Sequence, residues 1–288
     1  HARLWFHGGL HNSGSLALTA GENFVFGAID NQGELVVTGG ASATFYGDVA
    51  NQGLIRVSAS GSTSSVATFL GAVEGVGGVT GGGDVFFEGD LRPGQTLAPV
   101  VFQSNVQLGA SASLHVDLGG PLPGVEFSQL LIQGALAVGG ALNVQLHDGF
   151  TPSFGMSFPI LTATGGVTGQ FSSLDLPPLP EFATWQVQYA PDAVLLSVQG
   201  LENADFDGNG VVDGADFLVW QRSLGSSTGA DADYDGAVNA ADLAIWQAQY
   251  APAGAPAASA TVPEPAACAL LSAALAATAS LRRRTPRR

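Results

Sequence analysis

The 288-residue sequence has no lysine, one cysteine and one methionine, and only 11% of its residues are charged. Each shortage excludes something. Nine arginines carry all the fixed positive charge against 24 acids, and five of the nine fall within residues 282–288. Without those five the balance is four against 24, a net charge of −20 that repels nucleic acid and anionic membranes. Cys268 sits inside an uncharged run, so no disulfide framework is expected. Neither a Gly-x-Ser-x-Gly elbow nor a phosphate-cradling glycine loop occurs. Long apolar runs are also scarce. The exception is Ala266–Leu281, which as a helix would span about 24 Å, short of the ~30 Å hydrocarbon core.

Glycine is abundant instead, with 40 residues, and much of it recurs in a phrase. The phrase runs Phe6-x-Gly8-x-Leu10-x-Asn12-x-Gly14, then Val25-x-Gly27-x-Ile29-x-Asn31-x-Gly33, then Phe45-x-Gly47-x-Val49-x-Asn51-x-Gly53. It decays into Phe69-x-Gly71-x-Val73-x-Gly75 and Phe87-x-Gly89-x-Leu91. Alternating segments such as Leu54-Ile-Arg-Val57 lie between, and period-2 alternation predicts strands with one buried face. Asn-x-Gly predicts turns that tolerate positive φ, and the asparagines are placed to stack in a ladder. A repeat near twenty residues fits one coil of a right-handed parallel β-helix, each coil closed by the next. From about Gly94 the pattern turns irregular yet stays β-like, and residues ~100–199 either continue the helix or form a separate β-sandwich. Val194–Val198 reads as the last strand.

Beyond it stand two acidic loops, 26 residues apart. The first places Asp205, Asp207, Asn209, Asp213 and Asp216 at positions 1, 3, 5, 9 and 12, with Gly210 at 6. The second repeats this with Asp231, Asp233, Asp235, Asn239 and Asp242, and Gly236 at 6. Five side chains and the position-7 carbonyls, of Val211 and Ala237, would surround one point, which predicts two calcium ions. Val212 and Val238 at position 8 are expected to pair the loops back to back. A helix follows each loop, from the i, i+3, i+7 spacing of Phe217, Trp220, Leu224 and of Leu243, Trp246, Tyr250. The tryptophans are expected to pack between these helices.

A duplicated calcium loop ending in Asp and followed by one helix resembles a type I dockerin module. The likeness covers about residues 203–250 and implies docking onto a cohesin-like domain. Positions 10 and 11 are Gly214-Ala215 and Ala240-Ala241, where well-known cellulosomal dockerins carry a Ser-Thr pair. After an Ala/Pro linker at 251–261 come Val262-Pro-Glu-Pro265, the apolar run 266–281 and the arginine cluster. This resembles a PEP-CTERM sorting signal, which implies recognition by exosortase, a short membrane helix and an exported, envelope or extracellular location. Residues 1–199 resemble the autotransporter-like repeats of PEP-CTERM proteins of planctomycete type. The chain begins with His1 and shows no signal peptide, from which a removed or truncated N-terminus is expected.

Catalytic constellations are sparse. Asp84, Glu88 and Asp90 near Arg92 form the closest acidic group, and a solvated edge explains them. His7 and His11 lack the helical spacing of a zinc pair, and His115 and His147 are expected to face solvent. The expectation is therefore a non-enzymatic surface or adhesin-like protein without nucleic-acid partners. The alternative is an accessory or catalytic component of a polysaccharide-degrading assembly. A carboxylate pair lining a groove would favour that alternative.

Overall fold

A computed structural model describes residues 1–250 except 61, 95, 96, 98, 154, 180–182 and 201. The linker 251–261 and the sorting tail 262–288 lie outside the described residues. The described chain divides into two compact units, residues 1–202 with 233–235, and the remainder from 203.

The first unit is built from three sheets that the chain visits in turn. Ala2–Trp5 enters the first sheet, Leu10–Asn12 the second and Ser15–Leu18 the third; Glu22–Phe26 then returns to the first sheet one rung on. Repetition gives two eight-stranded parallel sheets and a nine-stranded third one, the arrangement of a β-helix. Side chains alternate as the period predicts, so Val25, Phe45, Phe69 and Phe87 point inward from successive rungs and are all but fully buried. Phe45 and Phe69 stack with centroids 4.8 Å apart, and Phe69 and Phe87 at 5.4 Å.

The asparagine ladder is present. Asn12 Nδ2 donates to Asn31 Oδ1 and Asn31 Nδ2 to Asn51 Oδ1, each at 2.7 Å, with all three residues buried. Each amide thus answers the next, which removes the cost of burying them. Gly75 takes the following place, and the ladder stops.

Two expectations need correction. Phe6 is not the partner of Val25; Leu4 is, because Phe6-His-Gly-Gly9 makes the first coil's turn two residues longer than Gly27-Ala28 does in the second. The recurrent glycines also serve a different purpose. Gly27 and Gly75 have positive φ, at 103° and 123°, but Gly33, Gly47, Gly53, Gly71 and Gly89 do not. Instead, a Cβ at any of them would run into the backbone of the glycine one coil below: Gly33 on Gly14, Gly53 on Gly33, Gly47 on Gly27, Gly71 on Gly47. Close stacking of turns, rather than left-handed backbone, demands them. Gly53→Ala should therefore cost about 1–3 kcal/mol through overpacking, although any residue could adopt its backbone angles. Thermal denaturation against the exposed, uncrowded control Gly14→Ala checks this.

Residues 99–175 remain in the same three sheets, with register offsets growing to 30 and 31 residues at Val106↔Leu136 and Leu136↔Val167. No separate sandwich begins at residue 100. The end of the third sheet changes direction: Ala183–Tyr189 and Ala193–Gly200 form an antiparallel pair on its edge, against Ser157–Ala163.

Candidate metal centre

Both acidic loops lie within residues 203–250, as do the only helices among the described residues, α1 (Gly214–Ser223) and α2 (Ala240–Gln249). Asp213 and Asn239, at loop position 9, are the helix N-caps, accepting from Ala215 N and Ala241 N at 2.7 Å. Asp216 and Asp242, at position 12, complete capping boxes from the third helical position. Both are fully buried. Asp216 Oδ1 accepts from Phe206 N at 2.7 Å and Asp207 N at 3.1 Å, and its Oδ2 accepts from Asp213 N at 2.8 Å. Asp242 does likewise with Ala232 N at 2.5 Å and Asn239 N at 2.7 Å. Each terminal carboxylate thus ties the head of its loop to the start of its helix.

Backbone turning is where the loop pattern puts it. Gly210 and Gly236 have φ of 83° and 86°. Position 4 is left-handed too, with Gly208 at 73° and Tyr234 at 59°, a requirement that only the first loop advertises through glycine. Asp205 then accepts from Asn209 N and Gly210 N, and Asp231 from Gly236 N.

One ligand oxygen from each of Asp205, Asp207 and Asp216 falls within 4.8 Å of the others, and Asp231, Asp233 and Asp235 gather in the same way. Such donor sets, oxygen only and partly exposed, suit a hard cation. Asn209, Val211 and Ala237 lie on the exposed rims of the loops, and the Ala237 carbonyl accepts from Asn239 Nδ2 at 2.8 Å. Position 9 is thus committed to capping in both loops, and Asp242 holds backbone in the second.

The indoles relate the two halves. Trp220 Nε1 donates to Asn239 O and Trp246 Nε1 to Asp213 O, each at 2.9 Å, so each helix grips the cap of the other loop. Trp220 packs with Ala230 and Val238, flanked by Phe206, Phe217 and Leu243, as core packing requires. Val212 and Val238 do not pair as expected: Val238 N donates to Ser226 O and its carbonyl accepts from Gly225 N. Leu224 and Tyr250 are exposed C-caps because each helix ends one residue earlier, so the third apolar position of each periodic set falls outside it.

No protein-family model matches the chain, and neither does any curated protein.

The acidic group noted in the β-unit is not one site. Asp84 accepts from Ser64 and Asn105, Glu88 from Ser111 in a turn, and Asp90 meets Arg92 Nη2 at 3.0 Å on the second sheet. The structure joins groups that lie far apart in sequence instead. Outward positions of the second sheet stack His11 on Asp30, Glu74 on Arg92 and His115 on Asn143, with Asp117 on Gln145 one column over. The corresponding middle column of the first sheet is nearly neutral, running through Phe24, Thr44, Thr68, Phe86 and Gln107. His115, expected to face solvent, is mostly covered. Burial first, then the Arg92 guanidinium, holds its imidazole below the ordinary histidine value despite Asp90 and Asp117. Sequence reading missed this face because parallel register, and not chain proximity, assembles it.

Proposed function

We propose that the chain is a non-enzymatic exported protein, at the cell surface or outside it, in which a β-helical region of right-handed crossover presents a repetitive lateral surface. A dockerin-like unit holding two calcium ions serves assembly or anchoring, with a cohesin-like domain as its partner. The C-terminal signal is read by exosortase, and residues 266–281 enter the membrane during sorting. No helix among the described residues is long and apolar enough to cross a membrane, and the signal lies outside them.

The observation that carries this reading is the pairing of the two loops: three carboxylates gathered in each, with each helix's indole donating to the other loop's cap. Extracellular calcium near 10⁻³ M keeps even weak sites of this class filled, and filling stabilises the fold that binds. Calorimetric titration of calcium into the full chain tests it, and two bound ions with a gain of helix are expected. In the double variant Asp205→Ala, Asp231→Ala both ions should be lost and residues 203–250 unfold, while the β circular dichroism persists. Absence of binding at millimolar calcium would remove the metal assignment. Loss of the β signal in the variant would show that the two units do not fold independently.

A second reading makes the chain a component of a polysaccharide-degrading assembly, docked through the same unit. The carboxylates and imidazoles on the second sheet favour it, since a purely structural stalk needs no such face.

A further inference from the structure

On the second sheet, Arg92, His115, Asp117, Gln145 and His147 surround a cavity of about 130 Å³, with Pro93 at its edge. Its polar groups are largely partnered with one another. Arg92 faces Asp90 at 3.0 Å, and His147 Nε2 lies 2.8 Å from Asp117 Oδ1. His115 Nε2 is sealed from solvent without a hydrogen bond, and Asp90 Oδ2 lies 3.3 Å away but out of alignment. The lining therefore offers both hydrogen-bond donors and acceptors.

Chemistry narrows the occupant. An anionic polymer meets the carboxylates of Asp90 and Asp117 on a chain of strongly acidic balance. Among the described residues only the two acidic loops bring three metal-ligating atoms within 4.8 Å of one another, so these imidazoles are not arranged around a metal. A protein partner is expected to be anchored by large apolar side chains, Trp, Tyr or Phe above all, and none of these lines this cavity, whose apolar lining is Pro93. A sugar hydroxyl fits, because it donates to a carboxylate and accepts from Arg, Gln or His at once. A linear chain of them also suits the column. Parallel strands set side chains about every 4.8 Å along the axis, so a polymer lying along the column meets Glu74, Arg92, His115 and Asn143 in turn.

We propose that the outer face of the second sheet, centred on the cavity between Arg92, His115, Asp117, Gln145 and His147, binds a neutral, hydroxyl-rich glycan. The proposal rests on the second reading above and deepens it, but uses none of the calcium chemistry.

Affinity electrophoresis of the full chain tests this in gels containing mixed-linkage β-glucan, arabinoxylan or galactomannan, with polygalacturonate as the anionic control, each with and without chelator. Retardation is expected in at least one neutral gel, none in polygalacturonate, and no effect of chelator. His147→Ala and the exposed Gln145→Ala should each weaken retention about tenfold, the effect of one lost well-placed hydrogen bond near 1.4 kcal/mol. Gln145→Ala leaves the core untouched, so its loss of binding cannot be ascribed to unfolding. Thr68→Ala, on the outer face of the first sheet, should change nothing. Free migration in all three neutral gels, retention that survives both variants, or stronger retention in polygalacturonate would each overturn the proposal. Retention abolished by chelator would move the binding to the calcium unit and overturn it equally.

Discussion

Asp216→Ala is expected to unfold the paired-loop unit whether or not calcium is present. The carboxylate is fully buried and accepts three backbone N–H groups, from Phe206, Asp207 and Asp213. Alanine leaves all three donors without a partner and removes half of the capping box of α1, at a cost of about 3–5 kcal/mol. The unit has little to set against this, since its buried apolar cluster is Trp220, Ala230 and Val238. A domain of this size with so small a core holds only a few kcal/mol in total. Asp207→Ala makes the informative contrast. Its side chain is exposed and accepts from Asn209 N at 3.1 Å, so it should weaken ion binding and leave the apo fold nearly unchanged. Amide hydrogen exchange across α1 and α2 separates the two. Parental protection of α1 in Asp216→Ala would show that Asp216 acts as a ligand only.

That contrast also marks how far the loops were legible. Spacing alone placed Asp205, Asp207 and Asp216 together and gave Gly210 and Gly236 their turning role. It did not separate ligand from cap, because an acid or amide followed three residues later by an acid is at once a loop ending and a capping box. Asp213 and Asn239 therefore read as donors to an ion while their side chains hold Ala215 N and Ala241 N. Coil by coil, the β-region was legible where the turns have constant length, and the Asn12–Asn31–Asn51 ladder followed directly. It was obscured where turns vary. The two extra residues before Leu10 displaced Phe6, and the long segment between Leu118 and Gln129 hid the continuation of the same sheets. Register tolerates such insertions because each strand answers only to the rung beside it. The same rule conceals the His115 face. Arg92, His115 and Asn143 lie 23 and 28 residues apart along the chain, and no local pattern joins them.

Phe69→Ala is expected to divide the β-unit into parts that unfold separately. The ring is fully buried and stacked on both sides, 4.8 Å from Phe45 and 5.4 Å from Phe87, with Phe102 continuing the series 5.8 Å beyond Phe87. Truncation removes its burial and opens a cavity that the strands cannot close, because their spacing is fixed by the ladder of hydrogen bonds between Val66–Phe69 and its neighbours on either side. A loss of about 3–5 kcal/mol follows. In a stack where each coil contacts only adjacent coils, that loss falls on the two interfaces Phe69 makes and not on the whole. Residues before about 60 should then exchange their amides well ahead of residues 99–175, where the strands of the second sheet lengthen to Ser113–Leu118 and Ala141–Leu146. Phe69→Leu keeps most of the volume and should cost under about 1.5 kcal/mol, with a single unfolding step. Uniform exchange throughout the Phe69→Ala unit would mean that coupling along the coils outweighs a broken rung. The repeats would then act as one cooperative body.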